Sequence, residues 1–246
     1  MKALYPYFSK IIFVSILLFL SGSCKKESTI NFTEDDAADA IANSIESNSG
    51  GTAGDISSAA GFAIKSGYGK RLAEWGLSSL QCGVPFDTSI SFVKTGVVTA
   101  NVIYNWDVLL NCNGGNPFSL TWTGTYQGSF DAPRLSGNIS GVRNWTLTNI
   151  DGSSNTFTLN GNTTRTGIHN SKVGNKYTYD VNIKNNFVNL SIDKDTRYIT
   201  GGTGTVSATL NVSNGTSKSY NGTIVFNGNK TATLTINGKT YTIYLY

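Results

Sequence analysis

The chain has a single histidine, His169, and no glutamate after Glu74. One histidine excludes a multi-histidine zinc site and leaves at most one imidazole for acid–base work. Its neighbours, Thr166-Gly167-Ile168 and Asn170-Ser171, read as a loop. Without glutamate, a carboxylate pair for glycoside cleavage has to come from Asp87, Asp107, Asp131, Asp151, Asp180, Asp193 and Asp195. Most of these stand beside turn-forming residues, where Asp has a structural role. Asp193 and Asp195 carry oxygen ligands suited to calcium, but their spacing is not that of an EF-hand loop, and a hairpin turn is expected there. No GxSxG, HExxH or phosphate-binding loop occurs. No catalytic, cofactor-binding or metal-binding residue is therefore assigned, and no cofactor is expected.

Long apolar runs are also missing. The longest, Ile11 to Leu20, spans about ten residues, roughly half of what a membrane-spanning helix needs. It follows a short stretch carrying Lys2 and Lys10 and no acid, as the hydrophobic part of a signal peptide does. Small residues, Ser21-Gly22-Ser23, then precede Cys24. This resembles a bacterial lipobox, which implies that the Cys24 thiol is lipidated and that Cys24 becomes the first residue of the mature chain. Ser21 departs from the usual leucine three positions before the cysteine. Acylation implies a membrane anchor, since each buried methylene contributes about 0.8 kcal/mol. The formal net charge is +4, and loss of Lys2 and Lys10 with the signal leaves +2, too little to argue for a nucleic-acid partner.

Once Cys24 is set aside, Cys82 and Cys112 remain. Two cysteines in an oxidising compartment read as one disulfide, and their spacing fits no zinc or redox motif. Closing a loop of about 30 residues is worth roughly 3.5–4 kcal/mol in the chain-entropy picture.

What the chain has in abundance is Gly, Asn, Thr and Ser, the composition of an extracytoplasmic β protein. The first elements are nonetheless helical. Thr33 is a plausible N-cap, followed by Glu34, Asp35 and Asp36 where the helix dipole favours acids. Ala37, Ala38, Ile41 and Ile45 then form a narrow apolar stripe. Asp55 is expected to cap a second helix with the stripe Ile56, Ala59, Ala60 and Ala63, weakened by Gly61 and ended by Gly67 and Gly69. Arg71 to Leu80 is ambiguous. Both helices are too short to stand alone and should pack on the β domain.

From Ile90 onward the pattern has period two. Val102, Tyr104, Trp106, Val108 and Leu110 share one face, with Asn101, Asn105 and Asp107 on the other. The same alternation recurs in several later runs, among them Tyr179-Val181-Ile183 and Ala232-Leu234-Ile236. Such strands have one buried and one wet face. Trp106, Trp122 and Trp145 fall on or beside the apolar parity and read as core rather than as sugar-stacking rings. The rows Thr121-Thr123-Thr125 and Thr231-Thr233-Thr235 read as a solvated face, or as a polar platform for a glycan. Turn signals separate the runs, including Asn113-Gly114-Gly115-Asn116, Asp151-Gly152, Asn160-Gly161, Asn185-Asn186, Asp193-Lys194-Asp195, Asn214-Gly215, Asn227-Gly228-Asn229 and Asn237-Gly238. The expectation is a mainly β fold. An antiparallel meander of roughly 10–12 strands forms a sandwich or partly open barrel, with one or two short N-terminal helices. The corresponding divisions are a signal peptide over 1–23, a tether over 24–32, a short helical segment over 33–82 and a β domain over 83–246.

The Cys24-Lys25-Lys26-Glu27 start, the helix from Thr33 to Ala42, the Ser49-Gly50-Gly51 break and Asn144-Trp145-Thr146-Leu147-Thr148 together resemble an uncharacterised family of Bacteroidota outer-membrane lipoproteins. The resemblance implies lipid anchoring at the outer membrane and carries over no activity. The leading expectation is a non-enzymatic envelope lipoprotein whose β domain binds a glycan, lipid or envelope protein, or is structural. A calycin-like carrier of an apolar ligand is the second. A polysaccharide-active enzyme using Asp, or a transmembrane β-barrel, completes the set.

Overall fold

The computed structural model describes residues 32–67, 80–150, 154–174, 176–212 and 215–246. Cys24, the signal and most of the tether lie outside these residues, as do Gly69, most of the Arg71 to Leu80 stretch, Asp151-Gly152 and Asn214. Residues Asn31–Tyr246 form one compact unit.

Two helices lead. The first, α1 (Glu34–Ile45), starts at a capping box. The Asp36 amide donates to the Thr33 hydroxyl at 3.3 Å, and the Thr33 amide donates to the Asp36 carboxylate at 2.8 Å. Its stripe of Ala37, Ala38, Ile41 and Ile45 is buried. A 3₁₀ turn, Ser47–Ser49, ends at Gly50, whose φ of 70° is the left-handed conformation that glycine reaches without strain. The second helix, α2, spans Thr52–Gly67.

Ten antiparallel strands follow in one sheet, each paired with the next in sequence. They are β1 (Pro85–Lys94), β2 (Thr99–Asn113), β3 (Asn116–Asp131), β4 (Leu135–Thr148), β5 (Thr156–Ser171), β6 (Thr178–Asp193), β7 (Ile199–Asn211), β8 (Ser217–Phe226), β9 (Thr231–Ile236) and β10 (Lys239–Tyr244). Strands β1 and β10 are the edges, so the meander is open. Two hairpins turn where the sequence indicates. Gly114-Gly115 and Asn237-Gly238 have positive φ at both central positions, as a turn matched to strand twist requires.

The sheet is wrapped around the helices. Nine strand spacings would make a flat sheet about 43 Å wide. Yet the helical segment reaches both edges. The Phe62 ring on α2 lies 5.8 Å from Phe86 on β1, and Asp35 on α1 accepts hydrogen bonds from Lys239 and Tyr241 on β10 at 2.6 and 2.9 Å. Glycines at inward positions permit the curvature. A Cβ on Gly124 would run into the Asn105 carbonyl of β2, and one on Gly141 into the Thr164 carbonyl of β5. The apolar parity lines the concave face, and Trp106, Trp122 and Trp145 are all buried there. The hydroxyl and amide parity forms the convex face.

Four expectations need correction. His169 is not in a loop; it lies within β5 and points inward. The flanking Gly167 is there because β4 passes too close for a side chain, with the Asn138 carbonyl in the way. Asn160-Gly161 is a β-bulge, not a hairpin turn, since a bulge uses positive φ as readily as a turn does. The Asn160 side chain accepts the amide of Asn189, which forms a second bulge on β6, at 2.8 Å. Asn185-Asn186 runs straight through the middle of β6. There Asn185 is buried and donates to the Thr163 hydroxyl at 3.3 Å. Asp55 does not cap α2, which begins three residues earlier.

Candidate functional site

The polar residues of the chain divide between an interior seam and an exposed outer face. The seam lies where the helices meet β4 and β5. Arg143 on β4 pairs with Asp55 on α2 through two contacts, Nε–Oδ2 at 2.9 Å and Nη1–Oδ1 at 3.1 Å. Its guanidinium lies 4.9 Å from the centre of the Tyr104 ring and 5.2 Å from that of Tyr126. Arg165 on β5 donates from Nη1 to the Asn43 carbonyl at the end of α1, at 2.9 Å, and sits 5.1 Å from the Phe130 ring. Glu46, just past α1, lies within electrostatic range of it.

Burial dominates the electrostatics of this seam. It pushes the Asp55 carboxyl up to about 6 against the opposing pull of Arg143. It also drives the His169 imidazole down to about 3, helped by the positive charge of Arg165, so His169 is neutral at physiological pH. His169 packs edge-on against Phe130 and Tyr179, at 5.3 and 5.8 Å. Arg143, Arg165 and His169 are at most 2% exposed. A substrate has no contact with them in this arrangement; the two arginines tie α2 and α1 to the sheet. The sequence carried one overlooked signal for them. Arg143 and Arg165 occupy the apolar parity of their strands, in line with Trp145 and His169.

The outer face offers the accessible chemistry. A groove of 530 Å³ crosses β2 to β5 and is lined by Asn101, Gln127, Ser129, Asn138 and Ser140, flanked by exposed Ile103 and Ile168. A second, of 440 Å³, crosses β5 to β8 with Asn162, Thr164, Asn186, Thr205 and Ser207 on its walls and one cation, Lys184. The first presents uncharged donors and acceptors, and the second adds the Lys184 ammonium to the same chemistry.

Among the described residues the candidate aspartates fall in separate places on the sheet, apart from one facing pair. Asp87 and Asp107 face each other across β1 and β2 beside a third groove of 380 Å³. The proximity of Asp87, through hydrogen bonding and like charge, raises the Asp107 carboxyl. Asp131 pairs with Lys172 at the end of β3. Asp193 accepts the Thr196 amide and hydroxyl at 2.8 and 2.7 Å in the expected β6–β7 turn, which also contains Asp195. Asp180 is exposed on β6, away from these. Among the described residues no group of three or more His, Cys, Asp or Glu is placed to hold a metal. Cys82 and Cys112 form the expected disulfide, with Cα atoms 5.6 Å apart. No described helix is long and apolar enough to cross a membrane.

No protein-family model, curated protein or solved structure matches the chain.

Proposed function

We propose that the chain is a non-enzymatic outer-membrane lipoprotein, anchored through Cys24, whose curved sheet binds a neutral, hydroxyl-rich ligand on its outer face. The observation that carries this reading is the separation of polar chemistry. The histidine and two arginines are sealed inside, while the accessible grooves are lined mainly by side-chain amides and hydroxyls. Such groups exchange hydrogen bonds with a glycan without placing a charge against it. Ile103 and Ile168 supply the apolar edges against which a sugar face rests. The carrier alternative is less well supported, because α1 and α2 occupy the concave face where an apolar ligand would sit. A transmembrane barrel would press Asn, Thr and Lys side chains into lipid.

The test is a neutral-glycan array probed with the chain from Lys25 to Tyr246, followed by titration of any hit. Gln127→Leu together with Ser140→Val, which remove hydrogen bonds from the larger groove, should weaken binding about tenfold or more. Binding unchanged by these substitutions would move the site elsewhere. Turnover of a polysaccharide by the purified protein would end the non-enzymatic reading.

A further inference from the structure

The point at which the chain enters the fold is fixed firmly and at one end of the sheet. Phe32 is buried, with its ring 5.2 Å from Tyr177 and 5.4 Å from Tyr179, and its carbonyl accepts the Lys218 ammonium at 2.9 Å. Just beyond it, Glu34 accepts from Asn237 at 3.2 Å, and Asp39 pairs with Arg134 at 3.0 Å. Tyr177, Lys218, Asn237 and Arg134 lie in or beside the β5–β6, β7–β8, β9–β10 and β3–β4 connections. In an antiparallel meander these share one end of the sheet with the β1–β2 connection.

That fifth connection carries the most exposed large hydrophobic residue among those described. At its tip Val97 is 85% exposed, and Val93, where β1 leads into it, is 66% exposed, with Lys94 between them. A hairpin tip that shows two valines and a lysine to water suits the boundary of a bilayer, where apolar side chains sink in and a lysine reaches the headgroups.

From Cys24 to Phe32 there are eight residue steps, a reach of about 28 Å when fully extended. A strand of 16 residues such as β3 is about 50 Å long. The tether is thus shorter than the sheet is tall, and it leaves from the end that carries the apolar tip. Resting on the lipid-anchor reading above, we infer that this end of the sheet faces the membrane, with Val93, Lys94 and Val97 seated in the bilayer interface. The far end, with the β2–β3, β6–β7 and β8–β9 turns, points away, and the outer-face grooves stand roughly upright from the membrane.

The experiment uses the full chain, produced with its own signal and reconstituted into vesicles of phosphatidylethanolamine and phosphatidylglycerol containing a brominated-chain lipid. Val97→Trp and Val93→Trp place a reporter at the tip, and Asp195→Trp places one in the β6–β7 turn. Emission of the unsubstituted protein is subtracted. The expected result is co-flotation with vesicles, about a twofold loss of emission for either tip reporter, and little loss for Asp195→Trp. Co-flotation with unquenched tip reporters, or with equal quenching at both ends, overturns the orientation and leaves the anchor standing. Failure to float removes the anchor reading and the orientation with it. A tip emission that shifts with protein concentration in the absence of vesicles would assign the tip to a second copy of the chain and overturn the membrane contact.

Discussion

Across β2 to β5 the inner face carries three tryptophans and two guanidinium groups, whereas across β7 to β10 it is mainly aliphatic, with Ala208, Leu210, Ile224, Leu234 and Ile243 beside the rings of Tyr220 and Phe226. The same helical segment packs on both. On the aliphatic side, α1 presents a stripe rich in alanine, so backbone and sheet approach closely and burial is the main source of stability. On the aromatic side the space between helix and sheet is filled by Trp106, Trp122, Tyr104 and Arg143. There the bidentate Arg143–Asp55 pair fixes which residue of α2 meets which strand. Burial of the aliphatic kind tolerates sliding, but a buried ion pair does not, because a slipped register leaves both charges unpaired. The two sides thus divide adhesion from alignment.

The sharpest test of that division removes one member of the ion pair. Asp55→Ala should cost about 3–5 kcal/mol in urea unfolding, because Arg143 is left charged and buried. Asp55→Leu combined with Arg143→Met should recover most of the loss. If single and double variants lose the same amount, the pairing is not what matters. On the aliphatic side, Ile41→Ala should cost about 3 kcal/mol through lost burial and a residual cavity. Its cost should add to that of Asp55→Ala within about 0.5 kcal/mol, since the two residues stand on different helices and only Asp55 belongs to the ion pair. Strong coupling would break the comparison.

The seam also predicts a pH dependence. The His169 pKa is depressed in the fold, so it binds a proton more readily when unfolded. Its contribution is present above the ordinary histidine value and is lost as pH falls from about 6.5 towards 3. Between pH 7 and pH 4.5 this amounts to a loss on the order of 2–3 kcal/mol. The raised carboxyl of Asp55 acts in the opposite sense, costing stability as pH rises from about 4 through 6. The measurement is therefore the difference between wild type and His169→Leu, whose acid-side loss should be smaller by that amount. Equal losses would mean that His169 titrates normally. Smallest of all, Thr233→Ala on the outer face should change stability by less than about 0.5 kcal/mol.

Much of the architecture was legible because alternation is a direct imprint of burial. The parity of β2, β3 and β6, the N-cap at Thr33 and the core role of three tryptophans all follow from local pattern. Positions governed by contacts distant in sequence were not legible. Asn160-Gly161 and Asn113-Gly114 offer the same conformational freedom, and only the neighbouring strand decides which becomes a bulge. Asp55 has the chemistry of a helix cap, and only Arg143, 88 residues away, makes it an interior ion pair. His169 read as a loop residue because Gly167 looked like a breaker, when it marks the closest approach of β4. Arg143 and Arg165 were visible as charges on an apolar parity. The outer-face grooves had no signal beyond the polarity of their residues, because depth on a sheet comes from curvature.

The hydrogen bond from the Ser47 amide to the Leu245 carbonyl ties the helical segment to the final residues of the chain. Each strand pairs with its sequence neighbour, so the sheet can assemble hairpin by hairpin from local contacts. The helices cannot follow that course. Asp35 waits for Lys239, 204 residues later, before its wall exists. A chain made from its N-terminus therefore displays Ile41 and Ile45 long before β10 can cover them. Closing the helices against β10 adds contacts of high sequence separation, the kind that raise contact order and slow folding. Loss of the last strand would leave the earliest-made elements without their closing contact, so the stability of the beginning is decided by the arrival of the end.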